Sequence, residues 1–169
     1  ILPGSYAESF SLPNQVNLVG VSEQPTLVNI FGTITVPNAA TTGISGVNLS
    51  ALKMNGTSAI RIDNSVVGVV THGVTTGNTD LLARSTSFTT IILDNATSGH
   101  NLRLEEGSSS SAIVSIGFVA LQQSTCPGQI STGTDSSSVV LLRDAEIDIG
   151  VTTASLSAYN SVCGALLQD

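Results

Sequence analysis

A repeat of fixed length constrains this chain more than any other feature. Residues 43–111 divide into three consecutive blocks of roughly 23 residues, and a period in this range is typical of solenoids. The blocks read GISGVNLSALKMNGTSAIRIDNS, VVGVVTHGVTTGNTDLLARSTSF and TTIILDNATSGHNLRLEEGSSSS. Their alignment places asparagines in one column and aliphatic residues in another. The first column is Asn55, Asn78 and Asn101, and the second is Val47, Val70, Leu93, Ile116 and Val139.

Each block contains an early and a later apolar run, which is typical of one coil of a parallel β-helix. In that fold a strand pairs with its counterpart one coil away, so residues a full period apart stack on each other. The sequence therefore predicts an all-β, right-handed parallel β-helix of about four to six coils. The aliphatic column is expected to face inward, and the three asparagines are expected to form a hydrogen-bonded ladder.

Composition supports β-structure but leaves a second fold open. Apolar residues make up 41% of the chain and aromatic residues 4%, so Val, Ile, Leu and Ala must fill the core, and these suit β-strands. An antiparallel β-sandwich or jelly roll has the same composition and short strands. That alternative predicts no fixed period, and the period favours the β-helix.

The 169 residues suit a single all-β domain in three parts. Residues 1–15, with Pro3 and Pro13, are interpreted as an N-terminal arm or cap, and residues 16–123 as the repeat region. Residues 124–169 are interpreted as a loop, strands and a C-terminal cap that ends in a short helix. The segment STCPGQISTGTDSSS at the start of this last part has the composition of a loop.

The segments GISGVNLS, SAIRIDNS and TTIILDNA resemble the pectate-lyase-like parallel β-helix proteins. That superfamily includes polysaccharide lyases and viral tailspikes. The resemblance extends over about Val16 to Leu121, lies in the rhythm of the coils, and includes no active-site motif of the family. It therefore implies a fold and no particular activity.

Charge and hydropathy narrow the range of partners. Five Lys and Arg stand against 12 Asp and Glu, for a net charge of -7, and a basic cluster that would attract nucleic acid or anionic lipid is absent. The longest apolar run, from Ile113 to Leu121, is far shorter than the ~20 residues of a spanning helix. We therefore expect a soluble protein without nucleic-acid binding or membrane insertion.

Cysteine usage and sequons indicate an extracellular location. Cys126 and Cys163, in a chain with one Lys and many Ser and Thr, predict one disulfide that ties down the C-terminal tail. Two buried thiols are the alternative. The triplets at Asn48, Asn55 and Asn95 match the N-glycosylation pattern, although the ladder position predicted for Asn55 would preclude a sugar there.

The search for catalytic residues finds little. His72 and His100 stand alone in the sequence, and an isolated histidine is more often a plain polar residue than a base or a ligand. The nearest approach to a glycan-cleaving set is Arg103, Glu105 and Glu106. Adjacent glutamates on a strand point to opposite sides, so no catalytic role is assigned and no cofactor is expected.

The strongest metal candidate is Asp144, Glu146 and Asp148, which alternate on one strand face and could offer hard oxygen ligands to Ca²⁺. A solvated acidic face is the interpretation that we favour for them.

The function expected from the sequence is therefore a non-catalytic structural or attachment subunit of an extracellular assembly, such as a virion spike, fibre or surface filament. Its expected partners are copies of itself, as a trimer or a filament. A carbohydrate-binding or carbohydrate-active β-helix that recognises a surface glycan is the alternative.

Overall fold

The computed structural model describes residues 1–21, 27–72, 77–93, 100–115, 117–132, 138–148, 150–164 and 166–167. Within these ranges the regular structure is almost entirely β-strand, which confirms the predicted fold class. None of the described segments forms a helix with the length and apolar character needed to cross a membrane.

The described strands form two sheets, one of 13 strands and one of eight. The first sheet contains β1 (Gly4–Tyr6), β2 (Phe10–Ser11), β4 (Val28–Val36), β6 (Asn48–Met54), β8 (Val66–His72), β10 (Ser87–Leu93), β12 (Ser109–Ser115), β14 (Thr125–Cys126), β15 (Gln129–Ser131), β17 (Glu146–Ile147), β18 (Gly150–Thr152), β20 (Val162–Cys163) and β21 (Leu166–Leu167). The second contains β3 (Asn17–Val19), β5 (Thr41–Ser45), β7 (Ala59–Asp63), β9 (Asp80–Arg84), β11 (His100–Glu105), β13 (Gly117–Gln122), β16 (Val139–Arg143) and β19 (Ser155–Tyr159).

The chain winds between the two sheets as a parallel β-solenoid. In the second sheet the strands follow one another in chain order from β3 to β19, and each pairs in parallel with the strand one coil away. The solenoid has about six turns with coils of about 21 residues. A jelly roll would pair neighbouring strands antiparallel, so the parallel pairing excludes that alternative.

The long strands of the first sheet bend in the middle, which gives the solenoid three faces. Side chains alternate between inside and outside along a straight strand, yet Ser50 and Ala51 of β6 both point outward, as do Thr89 and Thr90 of β10. At either end of the solenoid the two halves are separate strands, since β4 pairs with both β1 and β2 and β12 pairs with both β14 and β15. The first face consists of the first halves of the long strands together with β1, β14, β17 and β20. The second face consists of the second halves of the same strands together with β2, β15, β18 and β21. The third face is the second sheet.

Glycine at the bend allows close approach of successive coils. A Cβ atom at Gly68 would lie 2.2 Å from the Ser50 carbonyl oxygen, and one at Gly128 would lie 1.7 Å from that of Ser111. The bend therefore excludes a side chain at these positions.

A second corner joins the third face to the first face and recurs in almost every coil. A residue with positive φ, such as Asn64 (φ 45°) or Ser85 (φ 47°), turns the chain from the third face to the first face. The next residue is buried, and its hydroxyl donates to a carbonyl two residues back: Ser65 Oγ lies 2.8 Å from the Asp63 oxygen, and Thr86 Oγ1 lies 2.8 Å from the Arg84 oxygen. Each carbonyl also accepts a main-chain N–H from the preceding coil, Gly46 N for Asp63 and Asn64 N for Arg84, so the hydroxyl is a second donor that ties the corner to its own strand.

The core is a stack of aliphatic side chains, but its register differs from the predicted one. Val70 lies beside Leu52 and Ile91, not beside Val47 and Leu93. The actual column is Ile34, Leu52, Val70, Ile91, Ile113, Ile130 and Val151. Val47 is buried at a corner, Leu93 pairs with Ser115, Val139 lies on the third face, and Ile116 lies outside the described residues. The unequal coils shift any column drawn at a constant spacing.

The predicted ladder of Asn55, Asn78 and Asn101 is wrong for the same reason. Asn101 lies opposite Asp80 on one side and Phe118 on the other, and Asp80 in turn lies opposite Ala59. An asparagine pair does form elsewhere, on the first face, where Asn48 Nδ2 donates to Asn29 Oδ1 at 2.8 Å.

The predicted disulfide between Cys126 and Cys163 is also wrong, because the structure contains no bond between the two sulfur atoms. Ile147 lies between them, because it pairs with Cys126 on one side and with Cys163 on the other. Two strand spacings of ~4.8 Å put the cysteine Cα atoms ~10 Å apart, beyond the ~7 Å that a disulfide can bridge. The alternative of two buried thiols is correct for Cys126 only, since Cys163 is half-buried.

Both chain ends continue the solenoid. The predicted N-terminal arm folds onto its own chain, since β1 and β2 pair with β4 and Leu12 is buried. The predicted loop after residue 124 contains β14 and β15, and residues 133–137 of it lie outside the described residues. The predicted C-terminal helix is wrong, because β19, β20 and β21 occupy the described part of that segment.

Candidate functional surface

Charge is distributed unequally over the three faces. All four arginines of the chain lie on the third face, on β7, β9, β11 and β16. Asp63, Asp80 and Glu105 lie on the same face. Each of these residues occupies an outward position of its strand, so the third face carries both positively and negatively charged side chains.

The arginines of this face are held by neighbouring carboxylates. Arg61 Nε donates to Asp63 Oδ2 at 2.7 Å, and this hydrogen bond, followed by the charge of the carboxylate, raises the pKa of Arg61 above its ordinary value. Arg84 Nη2 lies 3.1 Å from Glu105 Oε2, and Arg84 Nε lies 3.7 Å from Glu106 Oε1. Surface pairs of this kind contribute little stability, but they fix the side chains in one arrangement.

The expectation that Glu105 and Glu106 point to opposite sides is wrong. Glu106 lies at the corner with φ 54°, so the strand geometry ends before it and both carboxylates reach Arg84. Arg103, the third member of the predicted set, instead lies over the ring of Phe118, with its guanidinium carbon 5.8 Å from the ring centroid. The three residues therefore do not form one constellation.

A shallow groove crosses the third face between Arg61 and Arg103. It has a volume of about 300 Å³, and Leu82, Asp80 and Asn101 contribute to its walls. The Oδ1 atom of Asn101 is buried and has no hydrogen-bond partner. The groove thus combines hydrogen-bonding groups of both kinds with an apolar floor, which is the chemistry that a polar, uncharged ligand would use.

The second face has the opposite character. Its outward residues from β4 to β18 are small, hydroxyl-bearing or aliphatic, and Lys53 is the one charged residue among those that the structure describes. They are Thr33, Thr35, Ala51, Lys53, Val69, Thr71, Thr90, Ile92, Ala112, Val114, Gln129, Ser131 and Thr152. A row of such side chains loses little hydration free energy when another surface covers it.

The acidic trio does not form a metal site. Glu146 and Asp148 are exposed on either side of the buried Ile147, whereas Asp144 lies at the corner with φ 49° and accepts a hydrogen bond from Asn160 Nδ2 at 2.6 Å. Nowhere among the described residues do three His, Cys, Asp or Glu side chains come together to hold a metal ion. The corner before β17 breaks the alternation on which the prediction depended.

His72 and His100, which the sequence presents as isolated, are buried against each other. Their ring centroids lie 4.6 Å apart at an interplanar angle of 62°. The main-chain N–H of Thr79 donates to His100 Nδ1 at 3.1 Å, and His72 Nε2 lies 3.3 Å from the Gly56 oxygen. A pair enclosed in this way is a structural contact of the core, and a spacing argument could not have found it because the two residues belong to different sheets.

The sequons have unequal positions. The Asn48 amide is hydrogen-bonded to Asn29, Asn55 is half-buried, and Asn95 lies outside the described residues.

The Cys126 thiol is buried, and desolvation raises its pKa to about 11. That thiol is therefore neutral and unreactive at ordinary pH.

The chain has no match among protein-family models, curated proteins or solved structures. These comparisons therefore add no family to the description of the fold as a parallel β-solenoid.

Proposed function

We propose that this protein is a non-catalytic structural or attachment subunit of an extracellular assembly, and that it associates laterally with copies of itself through the second face. The observation that supports the proposal is the segregation of charge. The third face carries every arginine, and the second face presents Thr, Val, Ala and Ile with one lysine. Protein interfaces are depleted of charge at their centre in the same way.

The size of the second face sets the expected strength of the contact. The seven strands of this face from β4 to β18, at a spacing of ~4.8 Å and with a width of about four residues, give an area on the order of 400 Å² per subunit. A standard interface buries ~800 Å² per partner. Lateral association through this face alone is therefore weak and depends on protein concentration, as suits a subunit that other contacts also hold in place.

The experiment compares two neighbouring threonines on either side of the bend. Thr90→Glu puts a carboxylate on the second face, and Thr89→Glu puts the same group on the first face. We expect sedimentation velocity at high concentration to show association of the wild-type protein and of Thr89→Glu, and a loss of most association in Thr90→Glu. A wild-type protein that stays monomeric, or two variants that behave alike, would contradict the proposal.

Recognition of a glycan by the groove of the third face is the second candidate. Asp80 offers an acceptor and Arg61 and Arg103 offer donors to sugar hydroxyls along this groove. A glycan array with wild-type protein and with Asp80→Ala tests it, and a reducing-end assay on any glycan bound distinguishes binding from cleavage. Equal array signals from the two proteins would eliminate this groove as the site.

A further inference from the structure

We propose that the two ends of the solenoid bind each other between copies, so that the last coil of one copy stacks on the first coil of the next. This inference builds on the proposed function, because it names a second contact within the same assembly. It concerns different surfaces from the lateral contact, and the two can fail separately.

The strand geometry of the ends is self-complementary. At the N-terminal end β1 and β2 pair with β4, and β3 pairs with β5. At the C-terminal end β19 pairs with β16, β20 with β17 and β21 with β18. Each end thus presents three edge strands, one on each face. Because every pairing is parallel, a copy translated along the solenoid axis brings β19 beside β3, β20 beside β1 and β21 beside β2 in the correct direction.

The edge strands lack the features that usually prevent such pairing. Exposed edges in natural proteins are protected by lysine, proline or other charged side chains. The six edge strands here read GSY, FS, NLV, SLSAY, VC and LL, with neither a charge nor a proline among them. Unprotected edges at both ends are expected where a like surface covers them.

Exposed apolar side chains are concentrated at the same two ends. Among the described residues most of the large exposed ones belong to the first 31 positions, and Tyr159 and Val162 lie in the last coil. The N-terminal group is Ile1, Leu2, Phe10, Val16, Val19, Val21, Leu27 and Phe31. Apolar surface concentrated in this way marks a contact site.

Apolar side chains that continue the interior columns are accessible at both ends of the described structure. A cavity of about 480 Å³ lies at the N-terminal end, and its walls include Tyr6, Phe10 and Leu18. At the other end Leu156 and Ala158 continue the inward columns of Val140 and Leu142, yet Ala158 is exposed because no coil follows it in the described structure. Stacking one end on the other would bury both openings.

One existing contact must be exchanged for the new one. The Ile1 amino group donates to the Val19 oxygen at 2.5 Å, and Val21 N donates to the Ile1 oxygen at 2.7 Å. Ile1 therefore occupies the outer edge of β3 near Val19. The incoming β19 takes its place there and replaces one main-chain pairing with another, so the exchange costs little.

The contact joins unlike ends, which allows a complementation test. Phe10→Lys puts a charge at the N-terminal opening and leaves the C-terminal end intact, and Ala158→Lys does the reverse. Burying a charge is costly, so neither variant can stack on itself; because Glu8 lines the same cavity as Phe10 and offers the lysine a counter-charge, the uncharged variant Ser11→Pro is tested beside Phe10→Lys. An equimolar mixture can form one junction, between the intact C-terminal end of Phe10→Lys and the intact N-terminal end of Ala158→Lys.

All proteins in this test carry Thr90→Glu, which removes the lateral contact. We expect the Thr90→Glu protein to form species that lengthen with concentration, each double variant to be monomeric, and their mixture to be a dimer by sedimentation equilibrium. Circular dichroism checks that the variants fold, and Ser11→Pro serves alone if Phe10→Lys does not.

The outcomes separate the two proposals. If the wild type associates and Thr90→Glu is monomeric, the lateral contact stands and end-to-end stacking is wrong. If Thr90→Glu associates as strongly as the wild type and the mixture forms dimers, stacking stands and the lateral contact is wrong. A mixture that stays monomeric overturns stacking, and the open ends then belong to a different partner.

Discussion

Replacing Gly68 with alanine tests the bend that creates the three faces. A Cβ atom at this position would lie 2.2 Å from the Ser50 oxygen and 3.1 Å from the Ser50 carbonyl carbon. Carbon and oxygen atoms in contact need ~3.2 Å or more, so β6 and β8 must separate by roughly 1 Å at this point. Two or so ladder hydrogen bonds on either side would weaken, at about 1 kcal/mol each. Together with backbone strain, we expect a loss of about 2–4 kcal/mol in the free energy of unfolding.

Gly107→Ala is the matched control for this substitution. Gly107 has a positive φ of 79°, which Gly68 does not, and a Cβ atom there would meet nothing within 4 Å. Its expected cost is therefore only the left-handed conformation, ~1 kcal/mol. Urea unfolding followed by circular dichroism gives both values, and hydrogen exchange localises the loss to the ladder between β6 and β8. If Gly68→Ala proves no more destabilising than Gly107→Ala, the close approach at the bend is not real.

Three further outcomes follow from the core and the corners. Mass spectrometry under non-reducing conditions should find both cysteines free, with Cys126 alkylated far more slowly than Cys163 in the native protein; a bonded pair would contradict the register around Ile147. Because burial raises the pKa of Cys126 from 9.0 to about 11, the neutral thiol favours the folded state, and stability should fall by up to ~3 kcal/mol between about pH 9 and 11. Cys126→Ala should abolish that part of the decline, and an unchanged pH profile would count against burial of the thiol. Thr86→Val should cost ~1 kcal/mol because the 2.8 Å hydrogen bond from its buried hydroxyl to the Arg84 carbonyl is lost, while that carbonyl keeps its bond from Asn64 N; Thr89→Val on the exposed first face should change stability by less than ~0.5 kcal/mol.

The sequence was sufficient to predict the class of fold. Short apolar runs at a near-constant interval are what a stack of parallel coils requires, and the structure has that architecture from β1 to β21. The register could not be obtained in the same way. Leu52, Val70, Ile91 and Ile113 occupy one column although their separations in sequence differ. The strands that carry them, β6, β8, β10 and β12, have seven residues each, whereas the segments between these strands vary in length.

A sharper signal for the register was present in the sequence and was missed. Pairs that combine a residue of positive φ with a following small hydroxyl residue recur in most coils, although Gly46-Val47 and Asp144-Ala145 lack the hydroxyl. The complete pairs are Asn64-Ser65, Ser85-Thr86, Gly107-Ser108, Gln123-Ser124 and Asn160-Ser161. Asn, Gly and Ser suit a tight corner, so these pairs mark the same point of each coil. An alignment on them would have placed Val70 beside Ile91.

The candidate surfaces were harder to predict from the sequence than the fold was. The position of each arginine is visible in the printed chain, but its face depends on the register and on the bend at Ser50 and Gly68. The contact between His72 and His100 and the separation of Cys126 from Cys163 depend on the same register. A shift of one residue in the register of a strand is enough to move a side chain from the interior to the outer surface.

The order of the coils also determines how the molecule bears a mechanical load. Strands follow chain order along the stack from β3 to β19, so the two chain ends lie at opposite ends of it, and the hydrogen bonds between coils run along the line that joins them. Tension applied to the ends therefore loads the coils in series, and each coil of about 21 residues that peels away releases ~70 Å of extended chain. In a head-to-tail chain of copies the junctions lie in the same series. Because β20 and β21 offer only two residues each, whereas β6 and β8 pair along six residues, a junction would part before the coils in the middle of a subunit yield, and that part of the subunit would keep its shape under strain.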